Sequence, residues 1–198
     1  MSDSNTAQRQ KMTLNWKYIG KLGLSLFLIT AIAALVLGLV NAVTADTIAQ
    51  REEEERQAAL TAVMSQADSF TDLDWENDSI DGITAAYTGS ELTGYCVEVS
   101  PNGFGGAISM MVGVDLEGYV TGAVILDHSE TAGLGARADD PEFLGQYVGK
   151  TSEITLSGAN AIDALSGATI TSKAVTLGVN TAIEAAIEYM EGGADSNG

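Results

Sequence analysis

From Leu22 to Ala45 the chain runs for 24 residues without a charge, rich in Leu, Ile, Val and Ala. At about 1.5 Å per residue, a helix of this length spans a hydrocarbon core of roughly 30 Å with tilt to spare. The run exceeds the apolar stretch of a cleaved signal peptide, about 7–15 residues, so a retained single helix is expected, although Ala42-Val43-Thr44-Ala45 resembles a cleavage site. Residues 46–69 read as a polar helical continuation. Its Glu52–Glu55 run beside Arg51 and Arg56 is a solvated face with pairs such as Glu52–Arg56, and Ile48, Leu60 and Val63 form a weak apolar side.

The periodicity then changes. Thr71 to Glu91 is Asp-rich and reads as irregular, anchored by Trp75 and Tyr87. Three strands follow: Thr93–Ser100 alternates, Ala107–Asp115 is largely apolar, and Tyr119–Asp127 succeeds the turn Leu116-Glu117-Gly118. Pro141 opens a short helix whose buried side is Phe143, Leu144, Tyr147 and Val148. Glu153–Leu156 reads as a further strand. Val175, Val179, Ile183, Ala186, Ile187 and Met190 recur at helical spacing and predict a long C-terminal helix, entered through the loop Ser166–Thr171. The expected divisions are an N-terminal segment 1–17, a transmembrane helix 18–45, a helical connector 46–70, a folded domain 71–191 and a mobile tail 192–198. The fold class is α+β, with a mainly antiparallel sheet and flanking helices.

Charge sharpens this division. The first 45 residues hold Arg9, Lys11, Lys17 and Lys21 against Asp3, whereas the remainder holds five bases against 26 acids, giving −18 in all. Basic residues before the apolar helix and an acidic run after it place the N-terminus in the cytoplasm and the domain outside, at the cell membrane. So acidic a surface excludes nucleic acid as a partner. One cysteine, Cys96, and one histidine, His128, exclude an intramolecular disulfide, a zinc or iron–sulfur set and a bis-histidine haem. Both read as structural residues.

Two loops carry the candidate chemistry. In Asp163-Ala164-Leu165-Ser166-Gly167-Ala168-Thr169-Ile170-Thr171-Ser172, small residues precede a helix N-terminus, which offers free N–H groups and a favourable dipole to phosphate. Gly167 and Ala168 add almost no bulk, leaving the Thr169 hydroxyl accessible to another macromolecule. By itself the string is equally an ordinary helix N-cap. The other loop is His128-Ser129-Glu130-Thr131-Ala132-Gly133-Leu134-Gly135-Ala136-Arg137, which alone is a glycine-rich surface loop. Arg137 reads as one partner of an ordinary ion pair.

Together these strings resemble the FMN-binding domain shared by the G subunit of Rnf complexes and the C subunit of sodium-pumping NADH:quinone reductase. Ser166-Gly167-Ala168-Thr169 resembles the flavinylation motif, Glu130–Gly135 resembles the Glu-Thr-Pro-Gly-Leu-Gly loop with Ala132 in place of Pro, and Gly103-Phe104-Gly105-Gly106 before an apolar strand fits the same pattern. The likeness covers roughly residues 85–190. It implies FMN held covalently as a phosphoester on Thr169, with Asp163, Ser166, Gly167, Ala168, Glu130, Thr131, Leu134, Gly135 and Lys150 around it. No Ser-His-Asp set adjoins Thr169, and the family's answer is a Mg-dependent flavin transferase that donates FMN from FAD. The resemblance further implies an electron-transfer subunit lodged among the other Rnf subunits and membrane lipid. Such a chain works only within an ion-translocating oxidoreductase that passes electrons from reduced ferredoxin to NAD, coupled to export of Na⁺ or H⁺. Two alternatives stay open: an anchored FMN domain for extracellular electron transfer or sensing, and a cofactor-free anchored interaction domain.

Overall fold

The structure is a computed structural model in which residues 16–75 and 77–193 are described. The expected N-terminal segment therefore lies largely outside the described residues, as does most of the expected tail. A single helix, α1 (Trp16–Val63), is followed by strands β1 (Ser69–Leu73), β2 (Gly82–Thr88), β3 (Glu91–Val99), β4 (Ile108–Asp115) and β5 (Val120–His128). A 3₁₀ turn (Gly135–Asp139), the short helix α2 (Pro141–Leu144), a second 3₁₀ turn (Gly145–Tyr147) and the long helix α3 (Thr169–Gly193) complete the chain. It divides into two compact units between Arg51 and Glu52.

The first unit is the apolar part of α1. Its large side chains face outward along its length, Phe27 at 66% and Leu37 at 69% exposure among them. The helix is long and apolar enough to cross a membrane. Its hydroxyls suit that medium: Ser25, Thr30 and Thr44 donate back to the carbonyls of Leu22, Leu26 and Val40, so none needs a water partner.

The second unit is an open antiparallel sheet in the order β1-β2-β3-β4-β5. Both faces are covered, and the alternation of side chains along each strand separates two cores. Tyr95, Val97, Val99, Met110, Val112 and Val114 face α3, where Val175, Val179, Ile183 and Ala186 are buried. Cys96, Met111 and Ala86 face the other way and pack on Ala59, Leu60, Val63 and Met64. That double cover explains why β4 is apolar almost throughout. The last turns of α1 lie close to the sheet because Gly113 and Gly122 have no side chain there, and a Cβ on either would run into the Val63 backbone. The Thr121 hydroxyl donates to the Val63 carbonyl at 2.6 Å. Arg56 reaches Asp72 at 2.6 Å and Thr84 at 3.0 Å.

Four sequence expectations change. The connector helix ends at Val63 rather than running to 69. The stretch 71–91 is not irregular: it holds most of β1 and all of β2, hidden because β1 is half exposed at the sheet edge and β2 is buried through Ala and Thr. Trp75 and Tyr87 do pack against the core. Glu153–Leu156 forms no strand and makes only an isolated bridge from Thr155 to Ala161. There the Asn180 carboxamide accepts from the Ile154 N–H at 3.0 Å and donates to the Ile154 carbonyl at 2.9 Å, replacing a strand partner. Finally, Phe143, Leu144 and Tyr147 are buried as expected, but Val148 is 51% exposed because the chain has left helical geometry there.

Candidate functional site

Glu130 follows the end of β5 and organises the site. One carboxylate oxygen accepts from the Gly105 N–H at 2.8 Å, and the other accepts from the Thr171 hydroxyl at 2.5 Å. The Glu130 N–H donates to His128 Nδ1 at 3.2 Å, so the single histidine holds the loop's shape. Burial opposes the charged form of Glu130. The Thr171 hydroxyl, the Gly105 and Phe104 N–H groups and His128 outweigh it and hold the carboxyl below its ordinary range.

Glycines make this closeness possible. A Cβ at Gly103 would strike one Glu130 oxygen, and a Cβ at Gly135 would strike the other together with the Thr171 hydroxyl. Two loops distant in sequence are thereby fastened to the first turn of α3.

That turn carries Thr169, the first helical residue, which is exposed. Ala168 precedes it, so no side-chain cap of the ordinary kind is available there. Among the described residues no acceptor takes the N–H of Thr169, Ile170 or Thr171. Ser172 instead braces the loop: its oxygen accepts from the Leu165 N–H at 2.9 Å and donates to the Ala168 carbonyl at 3.0 Å. Gly167 sits at φ 79°, a left-handed geometry that favours glycine, and its open Cα faces Leu134.

Between the loops lies a cavity of about 320 Å³, lined by Phe104, Glu130, Thr131, Leu134, Gly135 and the segment Gly167–Thr171. Its size is that of a small cofactor site. Phe104, Leu134 and Ile170 are 68%, 45% and 53% exposed, an apolar rim suited to a planar ring, while the free N–H groups and dipole of α3 suit a phosphate. The residues present therefore fit FMN.

Of the site residues expected from sequence, Thr169, Gly167, Ala168, Glu130, Thr131, Leu134 and Gly135 meet in this cavity. Asp163 and Ser166 line a separate hollow on the other side of the loop. Lys150 lies outside the cavity lining, its ammonium donating to the Asn160 side-chain oxygen at 3.4 Å. Arg137 pairs with Asp140 at 3.4 Å, the ion pair expected of it. Phe104, Ile170 and Thr171 were missing from the expected set. An aromatic residue inside a glycine run, and an Ile opening an otherwise amphipathic helix on its exposed side, were the available signals.

Sequence comparison bears on this geometry. Residues 103–184 match a family model described as an FMN-binding domain, and residues 4–63 match one described as the RnfG N-terminal region. The chain is 34% identical to the G subunit of the Na(+)-translocating ferredoxin:NAD(+) oxidoreductase complex of Acetobacterium woodii, over 89% of this chain and 95% of that one. It is 33% identical to the G subunit of the proton-translocating ferredoxin:NAD(+) oxidoreductase complex of Clostridium ljungdahlii, over 81% and 88%. Its fold is similar to that of the C subunit of the Na(+)-translocating NADH-quinone reductase of Parabacteroides distasonis, with a TM-score of 0.54, 19% identity, and 71% and 94% of the two chains covered. A candidate membrane helix, an antiparallel domain and a cavity built from two glycine-bearing loops thus stand in one chain, and that chain belongs to the family of Rnf complex G subunits, whose domain is the FMN-binding domain.

Proposed function

We propose that this chain is an electron-transfer subunit of a membrane-bound, ion-translocating ferredoxin:NAD oxidoreductase and carries FMN as a phosphoester on Thr169. It acts only within that assembly, beside the other Rnf subunits. FMN supplies the redox chemistry when bound. The protein's part is placement. Thr169 would give a covalent anchor, the first N–H groups of α3 would donate to phosphate oxygens, and Phe104, Leu134 and Ile170 would offer apolar walls to the ring. Glu130 is committed to Thr171 and Gly105, so it shapes the cavity without contributing a free charge to it.

Loading is a group transfer. The Thr169 oxygen bonds to the FMN phosphorus of FAD, the bond between the two phosphates breaks, AMP departs, and the hydroxyl proton passes to solvent. A Mg-dependent flavin transferase supplies the catalysis that Thr169 lacks. By the charge bias of Lys17 and Lys21, the N-terminus is cytoplasmic and the flavin domain lies outside the cell membrane.

One observation carries the reading: the exposed Thr169 hydroxyl opens directly onto an apolar-rimmed cavity of cofactor size. Produced with the transferase, the full chain should gain the mass of one FMN less water and fluoresce as a denatured gel band. Thr169→Ala should abolish both and leave the domain folded, since the Thr169 side chain makes no hydrogen bond among the described residues. A Thr169→Ala band that still fluoresces places the attachment elsewhere.

A further inference from the structure

Tyr147 and its neighbour Gln146 hold the chain on either side of the start of α3 in sequence, at Thr176 within the helix and at Asp163 before it. The buried Tyr147 hydroxyl meets Thr176 at 2.9 Å, and Thr176 in turn donates to the Ser172 carbonyl. Gln146, half-buried, takes both backbone groups of Asp163: its carboxamide oxygen accepts from the Asp163 N–H at 2.7 Å, and its nitrogen donates to the Asp163 carbonyl at 3.3 Å. Asn180 serves Ile154 in the same manner. A carboxamide can donate and accept at once from one planar group. With Ser172 fixing Leu165 and Ala168, the loop before Thr169 is held at three points, and Ser166, Gly167 and Thr169 are left exposed.

We infer that Gln146 is a positioning residue for FMN loading, holding the acceptor loop in the shape that presents the Thr169 hydroxyl to the transferase. This rests on Thr169 being the acceptor. Gln146 reaches neither the hydroxyl nor the cavity lining, so its action passes through the Asp163 backbone. The balance of the transfer is unaltered: Thr169 gains the phosphoester and AMP leaves with the hydroxyl proton in solvent. Gln146 sets how often the hydroxyl stands in line with the phosphorus. A misplacement of about 1 Å at a reacting atom costs on the order of a hundredfold in rate.

The test uses the full chain in detergent with purified transferase, FAD and Mg²⁺, following FMN uptake by intact mass. Gln146→Ala should lower the saturated loading rate about ten- to a hundredfold. Gln146→Glu, which keeps the acceptor for the Asp163 N–H, should recover part of it. Ile183→Val, a core change within α3, serves as a stability control and should load at the wild-type rate. Wild-type loading by Gln146→Ala, or an equal deficit in Ile183→Val, overturns the inference. A wild-type chain that takes up no FMN removes the Thr169 reading itself, and that result needs no variant to recognise.

Discussion

Glu130 offers the sharpest physical test because its carboxylate is fully committed. It is 9% exposed and joins three segments through Gly105, Thr171 and its own N–H on His128. Hydrogen bonds to a charged group contribute about 1.5–3 kcal/mol each. Glu130→Ala removes two of them and strands the Thr171 hydroxyl, which is 1% exposed, so a loss of about 3–5 kcal/mol is expected. Glu130→Gln keeps an acceptor for the Gly105 N–H and loses the charge, at about 1–2 kcal/mol. For a domain of this size each kcal/mol moves the midpoint by about 2–4 °C, giving roughly 6–20 °C for Ala and roughly 2–8 °C for Gln. The folded state lowers this carboxyl's pKa. Its contribution is therefore complete above the ordinary glutamate value of about 4.3 and is lost as pH falls through the lower folded value. Thermal unfolding of the full chain in detergent, followed by near-ultraviolet circular dichroism at low protein concentration because the pI is about 4.1, should show the wild-type advantage over Glu130→Gln shrinking on acidification. A gap that stays constant from pH 7 to below pH 4, or an Ala variant as stable as wild type, refutes the ionised brace.

Two further outcomes concern the opposite face of the sheet. Gly122→Ala drives a Cβ against Val63 and should cost about 1–3 kcal/mol, read as faster amide exchange across Ala59–Val63; unchanged exchange would contradict that close approach. Burial pushes the Cys96 thiol up to about 12, so at pH 8 the native chain should resist alkylation and label only in denaturant. Rapid labelling of the native chain would mean that the last turns of α1 do not cover it.

The elements legible in sequence were those whose pattern is set by one dominant environment. The uncharged run Leu22–Ala45 answers to length alone, and α3 shows its core stripe at Val175, Val179 and Ile183. β1 and β2 were missed for a physical reason: Arg56 bonds the exposed Asp72 and the buried Thr84, and Thr84 bonds Asp72 in turn, so polar residues at these positions conceal strands. The apparent strand at Glu153–Leu156 failed because Asn180, 26 positions on from Ile154, replaces the ladder. No local pattern announces such a partner. Likewise, the two glycine-bearing loops could be read as motifs, while Gln146, which supports one of them, sits in a 3₁₀ turn with no signal of its own.

The same geometry separates residues that build the cavity from residues that furnish it. Glu130 and Thr171 are 41 positions apart, yet they join with Gly103 and Gly135 into one dense knot where an added methyl has no room. Their substitutions act first on stability. Phe104, Leu134 and Ile170 stand largely free at the rim, so truncating them removes little internal packing, and surface changes of that kind stay within about 0.5 kcal/mol. Whatever those three side chains do for the chain, they do for a group that covers them. An exposed apolar rim beside the Thr169 hydroxyl, braced by a buried charged knot, has the division of labour expected of a site that stays rigid while whatever it seats remains open to solvent.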